Sequence, residues 1–372
     1  MAFYRARPGA HRRVVAAAVA AGWALVVGAG AARADRNDLQ LLGLCAPHAA
    51  PGIGAGGAAA QECSWIQRND PATSPANGRD ILGVSLNGDA QTRFRSLMSE
   101  LGVVIAPRLQ TPADTLGYAG FQFSAELGVT KINSGRDYWN GVAGQNPANP
   151  AIQRDSYITT VGGFVRKGLW LPLPAFEFGA GAMSILGSHM YVVQGYAKIA
   201  LQEGFHGWAL PSFAVRGSAS QLLGTDQVDL NVYGIDVLLS KAFGIAGTAR
   251  IEPFVGWNIL FIDAQSGVID ATPGCDGVAL AANPTSPPAG CSMAAPVNRF
   301  NDLNANFTFP QQDVITRQRW SVGFKLKMSV LFLVGEFDLA PAGHSVDSKQ
   351  PAAARDTSGT QQSYALSAGF DF

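Results

Sequence analysis

The sequence predicts an all-β fold: a transmembrane, antiparallel, up-and-down β-barrel of ten to twelve strands, preceded by a non-barrel segment that contains a short helix. Three observations carry that expectation. From about residue 118 onward, apolar and polar residues alternate in stretches separated by turn residues. The connections between those stretches are long and short by turns. After the first 34 residues no run of about 18 apolar residues occurs, so no helical span competes with the strands.

Side chains of a strand point to opposite faces with period two. In GFQFSAELGVT that period puts Phe121, Phe123, Ala125, Leu127 and Val129 on one face, with Gln122, Ser124, Glu126 and Thr130 on the other. IEPFVGWNILF sets Ile251, Val255, Trp257, Ile259 and Phe261 against Glu252, Gly256 and Asn258. WSVGFKLKMS sets Trp320, Val322, Phe324, Leu326 and Met328 against Ser321, Gly323, Lys325, Lys327 and Ser329. Weaker copies near residues 155–167, 174–186, 190–203, 211–221, 230–243 and 330–340, with the closing SYALSAGFDF, bring the count to about ten. A tilted strand crosses a bilayer in about 9–11 residues, and each stretch is long enough. A soluble sandwich or barrel also alternates. Against it stand aromatics near strand ends and lysine, arginine and glutamate at mid-strand, which a dry sandwich core would not accept unpaired.

Connection lengths strengthen the membrane reading. The stretches near 133–153, 265–310 and 342–359 are long, whereas those near 168–173, 204–209, 243–248 and 328–330 are short. Long loops at one end and tight turns at the other mark spanning barrels, which must close because lipid satisfies no backbone group. Counted back from the last strand, every long loop falls outside and both ends of the wall fall on the inner side.

The first 34 residues read as a secretory signal peptide. Arg5, Arg7, Arg12 and Arg13 precede an Ala/Val/Gly-rich run, and Ala32-Arg33-Ala34 forms an A-x-A cleavage site before Asp35. An uncleaved helical anchor is the alternative. A lipoprotein is not indicated, because Leu44 directly before Cys45 is a poor lipobox. Residues 35–117 do not fit the wall: they are Gly/Pro/Ala-rich, then place Phe94, Leu97, Met98, Leu101, Val104 and Ile105 at helical spacing. An amphipathic helix there would plug the lumen or lie beneath the barrel. If residues 80–88 and 100–109 were strands instead, the wall would have twelve. The predicted division is therefore 1–34 signal peptide, 35–117 N-terminal segment and 118–372 barrel.

Composition narrows the function. With 27 basic and 27 acidic residues the chain has no net charge, so attraction to nucleic acid is not expected. Charged residues are 15% of the chain, below the roughly 25% of soluble domains. Four cysteines in an exported chain suggest disulfides, most economically Cys45–Cys63 and Cys275–Cys291. Zinc is the rival, but neither pair has a C-x-x-C spacing or a nearby histidine.

Taken together, the signal sequence, the repeats over residues 118–372 and the ending YALSAGFDF resemble Gram-negative outer-membrane β-barrel proteins as a class. In that class a terminal aromatic, with apolar residues at every second position before it, is the sorting signal for the barrel-assembly machinery. Tyr364, Leu366, Phe370 and Phe372 match it, and Ala368 fits as a smaller residue. The resemblance implies location in the outer membrane, with its lipid and the assembly machinery as partners.

Reading the polar faces gives the candidate lumen residues Glu126, Arg166, Glu177, Lys198, Arg216, Asp236, Arg250, Glu252, Lys325, Lys327, Glu336 and Asp338. Both signs occur in near-equal numbers. They either pair across strands and fill a narrow interior or line a polar path for small solutes. Of the histidines, His11 and His48 precede the wall, while His189, His206 and His344 fall in loops or turns. No His-x-Ser pattern places a nucleophile and its base on one lumen face, and no phosphate-cradling or metal motif is present, so neither an enzyme nor a cofactor is expected. The expected function is narrow, porin-like passive passage of small solutes, or a structural membrane role. The alternative is an adhesin or receptor acting through the long outer loops, above all 265–310.

Overall fold

The structure, a computed structural model, describes residues 35–44, 63–67, 81–86, 88–145, 154–169, 175–204, 210–245, 248–270, 306–309, 311–347 and 354–372. Residues 1–34, and with them the signal-peptide expectation, lie outside the described residues. So do Cys45, Cys275 and Cys291, which leaves the expected disulfides there too.

Ten strands form the wall: β1 (Phe121–Lys131), β2 (Tyr157–Leu169), β3 (Phe176–Ile185), β4 (Tyr191–Gln202), β5 (Ser212–Leu223), β6 (Val228–Ser240), β7 (Ala249–Ser266), β8 (Ile315–Met328), β9 (Leu331–Ala340) and β10 (Gln361–Asp371). Each pairs antiparallel with its neighbours in sequence, and β10 pairs with β1, so the sheet closes. The short strand Phe243–Ile245 adds to the start of β7 where β6 has ended. At the seam, the Phe121 N–H donates to the Phe372 carbonyl at 3.0 Å, and the Phe372 N–H donates to the Phe121 carbonyl at 2.8 Å. Closure of this kind leaves no strand edge unpaired, which the bilayer requires.

Ten strands, not twelve, build the wall. Residues 100–105 belong to a helix, and Ile81–Leu86 pairs with Cys63–Gln67 in a separate two-stranded sheet. The run LGVVIA is apolar enough for a strand, but it continues the helical spacing of Phe94, Leu97 and Leu101. That spacing wins because the helix has an apolar surface to bury against.

The polarity of the wall is inverted relative to a soluble barrel. Along β1, Phe121, Phe123 and Leu127 are exposed while Gln122, Ser124 and Thr130 are buried. The same order repeats around the cylinder, with Phe178, Ile235, Val255, Val322, Leu333 and Leu366 all facing outward. Trp257 and Trp320 pair on the outer surface with ring centroids 6.3 Å apart. An apolar exterior this continuous is stable only against lipid.

Helix α1 (Gly88–Ile105) lies inside the cylinder, toward the long-loop end. Its apolar side, including Phe94, Leu97, Leu101 and Val104, packs on inward-facing Met183, Ile185, Val192, Leu230, Leu260 and Ile262. The interior is thus apolar along the outer part of β3–β7, a stretch that the expectation of a polar lumen had not separated from the rest. Gly102 permits the approach: a Cβ there would come within 2.5 Å of Ile262 Cδ1. Pro107 lacks the N–H a further turn would need, and the helix ends just before it. Residues 106–117 then run through the lower lumen to the short-turn end, where β1 begins.

Candidate functional site: the occupied lumen

The polar side of α1 meets the outer loops. Glu100, fully buried, accepts bonds from Asn133 Nδ2 at 2.7 Å, Tyr138 Oη at 2.5 Å, Trp139 Nε1 at 2.8 Å and the Gly359 N–H at 3.0 Å. Burial, and then the Glu100 carboxylate, push the Tyr138 phenol well above its ordinary range, so it remains a donor. Arg95 donates to Ser345 Oγ at 2.9 Å and to the Asp313 carbonyl at 2.8 Å. Arg317, from β8, donates to Ser99 Oγ at 2.9 Å and to Ser358 Oγ at 2.6 Å.

Below the helix, side chains of the wall take the place of secondary structure for residues 106–117. Arg319 donates to the Pro107 carbonyl at 2.6 Å, and Arg216 to the Arg108 carbonyl at 2.8 Å. Lys198 reaches the carbonyls of Pro112 and Asp114, both at 3.0 Å. The acids hold the N–H groups. Glu336 accepts from Leu109 at 3.0 Å and from Gln110, and Glu177 accepts from Leu116 at 3.0 Å. Ser240 Oγ accepts from Ala113 at 3.0 Å, and Glu203 from Thr115 at 2.9 Å. A backbone without ladder partners must find them elsewhere when buried, and here the wall supplies them. Arg216 and Arg319 also sit at the carbonyl end of α1, where the helix dipole favours positive charge.

The same wall residues pair with one another. Arg166 lies 2.9 Å from Glu126, Lys198 lies 3.1 Å from Glu177, and Arg216 lies 2.8 Å from Asp236. The Lys198–Glu177 and Arg216–Asp236 partners are directly opposite in register on neighbouring strands. Asp338 accepts from Ser321 Oγ. Nearer the short-turn end, Asp371 takes Lys325 at 2.6 Å and Lys327 at 3.0 Å, and Arg250 bridges Asp114 and Glu252. Arg250 and Lys327 are respectively 44% and 35% exposed, which places them on the rim rather than deep in the lumen. A cavity of about 180 Å³ lies at this end between residues 111–116 and Gln122, Glu177, Arg250, Glu252, Lys325, Lys327 and Asp371.

Several functional residues escaped the reading of the polar faces. Arg317 and Arg319 lie upstream of the stretch taken to begin at Trp320; extending its period two back to Ile315 would have found them. Asp371, on the last strand, is the partner of two lysines that the polar faces alone leave unpaired. Glu100 carried no strand signal, being on a helix. His189 sits at the tip of the β3–β4 hairpin, with Nδ1 2.8 Å from Asp38 Oδ2. Its neighbour Ser188 donates to the Ile185 carbonyl instead.

No protein-family model matches the chain, and no curated protein matches it. Solved structures similar to it include the attachment invasion locus protein Ail of Yersinia pestis, at 7% identity and TM-score 0.22, covering 68% of this chain and 99% of that one. Neisserial surface protein A is similar at 10% identity and TM-score 0.25, covering 68% and 98%. The Acinetobacter baumannii outer membrane protein Omp33 is similar at 10% identity and TM-score 0.21, covering 69% and 99%. A closed, even-numbered antiparallel sheet with an apolar exterior and a filled interior is the architecture of an outer-membrane β-barrel, and that is the fold of this chain.

Proposed function

We propose that the protein is a narrow, porin-like passage that its own N-terminal segment keeps shut, and that it passes small polar solutes when residues 106–117 shift. The observation behind this reading is the kind of bond that holds the segment. Arg216, Arg319, Lys198, Glu177 and Glu336 bind it through hydrogen bonds to its backbone, which water can replace once the segment moves. A polar wall would remain behind it, with both signs of charge across a constriction. The mixed cavity at the short-turn end would serve as the vestibule, and its four acidic and three basic side chains favour neutral or zwitterionic solutes over anions.

Planar-bilayer conductance tests the reading. The full chain should show rare, brief openings, and a chain lacking residues 35–117 should conduct steadily. Silence from both forms, each with a heat-modifiable barrel, would sink it in favour of a structural role. A second reading, surface binding through the outer loops, is favoured by the ordered cluster of Glu100, Asn133, Tyr138 and Trp139 that ties loop to helix. A partner retained by the outer loops, without channels in the truncated chain, would select that reading.

A further inference from the structure

The path of the chain before β1 has a direction. β1 starts at the short-turn end, which in barrels of this class faces the periplasm. Read backward from there, residues 117–106 climb the lumen and α1 continues the climb. Already at Glu100 the helix bonds Tyr138 and Trp139 of the β1–β2 loop, so the outer end of the lumen has been reached by then. Its first turns meet the outer loops: Arg93 pairs with Asp137 at 2.9 Å, and the Gln91 carbonyl accepts from Gln312 Nε2 at 3.2 Å.

Residues 35–44 are also at that end, seated on three separate outer connections. On the β1–β2 loop, Leu39 bridges to Val142, the Gln40 N–H donates to the Gly141 carbonyl at 2.7 Å, and the Ala143 N–H donates to the Asp38 carbonyl at 2.9 Å. On the β3–β4 hairpin, Asn37 donates from its backbone to Gly187 O and from Nδ2 to Leu186 O, both at 2.7 Å. On the β5–β6 turn, the Leu41 N–H donates to Gln227 Oε1 at 2.7 Å. Leu39, Leu41 and Leu44 are buried in this seat. It is a made-to-measure site at the end opposite the one where the wall begins.

We infer that the barrel carries its own N-terminal segment outward through its lumen, so that residues 35–44 are displayed on the outer face of the membrane. The barrel is then the export route for that segment as well as its anchor.

The test is cysteine accessibility on intact cells producing the full chain, with Cys45, Cys63, Cys275 and Cys291 replaced by serine. Gln40→Cys should react with a polymer-linked maleimide too large for porins as completely before permeabilisation of the outer membrane as after. Tyr118→Cys, exposed at the short-turn end, should react only afterwards. Reaction of Gln40→Cys only after permeabilisation overturns the inference. Should the serine background fail the heat-modifiability check, an epitope inserted at Gln40 in the otherwise native chain replaces it. Antibody binding to intact cells supports outward display, and binding only to permeabilised cells refutes it.

Discussion

Arg216 and Asp236 face each other across β5 and β6, with Nε and Oδ2 2.8 Å apart and neither side chain exposed. Such a pair gains less from its own attraction than it would lose by being broken, because removing one partner strands a buried charge. Asp236→Ala should therefore destabilise the barrel by about 3–5 kcal/mol, read from the urea midpoint of the refolded protein. The double variant Arg216→Met with Asp236→Leu should recover most of that loss. It should still conduct more often than the parent, because the Arg108 carbonyl no longer has its donor. An unchanged midpoint in the single variant would contradict the pairing.

Helix docking can be weakened separately from the wall. Phe94 is fully buried and stacks on Phe309 with ring centroids 4.6 Å apart. Truncating a buried phenylalanine costs about 3–5 kcal/mol through lost transfer energy and the cavity left behind. In Phe94→Ala that cost falls on the seating of α1, so trypsin should cleave at Arg108 faster while the heat-modifiable shift stays intact. Loss of both together would mean that helix and wall fold as one unit.

The seat of residues 35–44 should respond to pH. The hydrogen bond from His189 to Asp38, followed by the attraction of that carboxylate, raises the imidazole pKa above its usual value of about 6.5. A group whose pKa is raised on folding contributes fully below its unfolded pKa. The contribution fades as pH climbs through the folded value. Protection of the Asn37 and Asp38 amides, taken relative to the intrinsic exchange rate at each pH, should accordingly be strongest in mild acid and fall above neutrality. His189→Gln should flatten that dependence, and an imidazole titrating at the free-histidine value would refute the contact.

The terminal strand should matter more for assembly than for stability in detergent. Tyr364, Leu366, Phe370 and Phe372 all face outward, and Phe370 stacks on Phe372 with centroids 6.1 Å apart. Phe370→Ser with Phe372→Ser should sharply lower the amount of folded barrel in the outer membrane yet refold in detergent micelles. Equal yield in cells would remove these residues from the role of sorting signal.

The sequence by itself determined the staves. Period two survives in β1, β7 and β8 because each strand meets lipid on one face and protein on the other, and the two demand opposite polarity. It also marked α1, whose apolar stripe has a period no strand shares. Only the tertiary structure decided where that helix goes. Its polar face reads alike whether it meets water beneath the barrel or Tyr138, Trp139 and Arg317 within it. The pairing of Lys198 with Glu177, and of both with residues 112–116, depends on register and on a loop that crosses the lumen. Neither is a local property of any strand, since a charge alternating inward is compatible with an open pore and with a closed one. Whether it faces water or the carbonyls of its own chain is settled by contacts across the lumen, from residues far apart in the sequence.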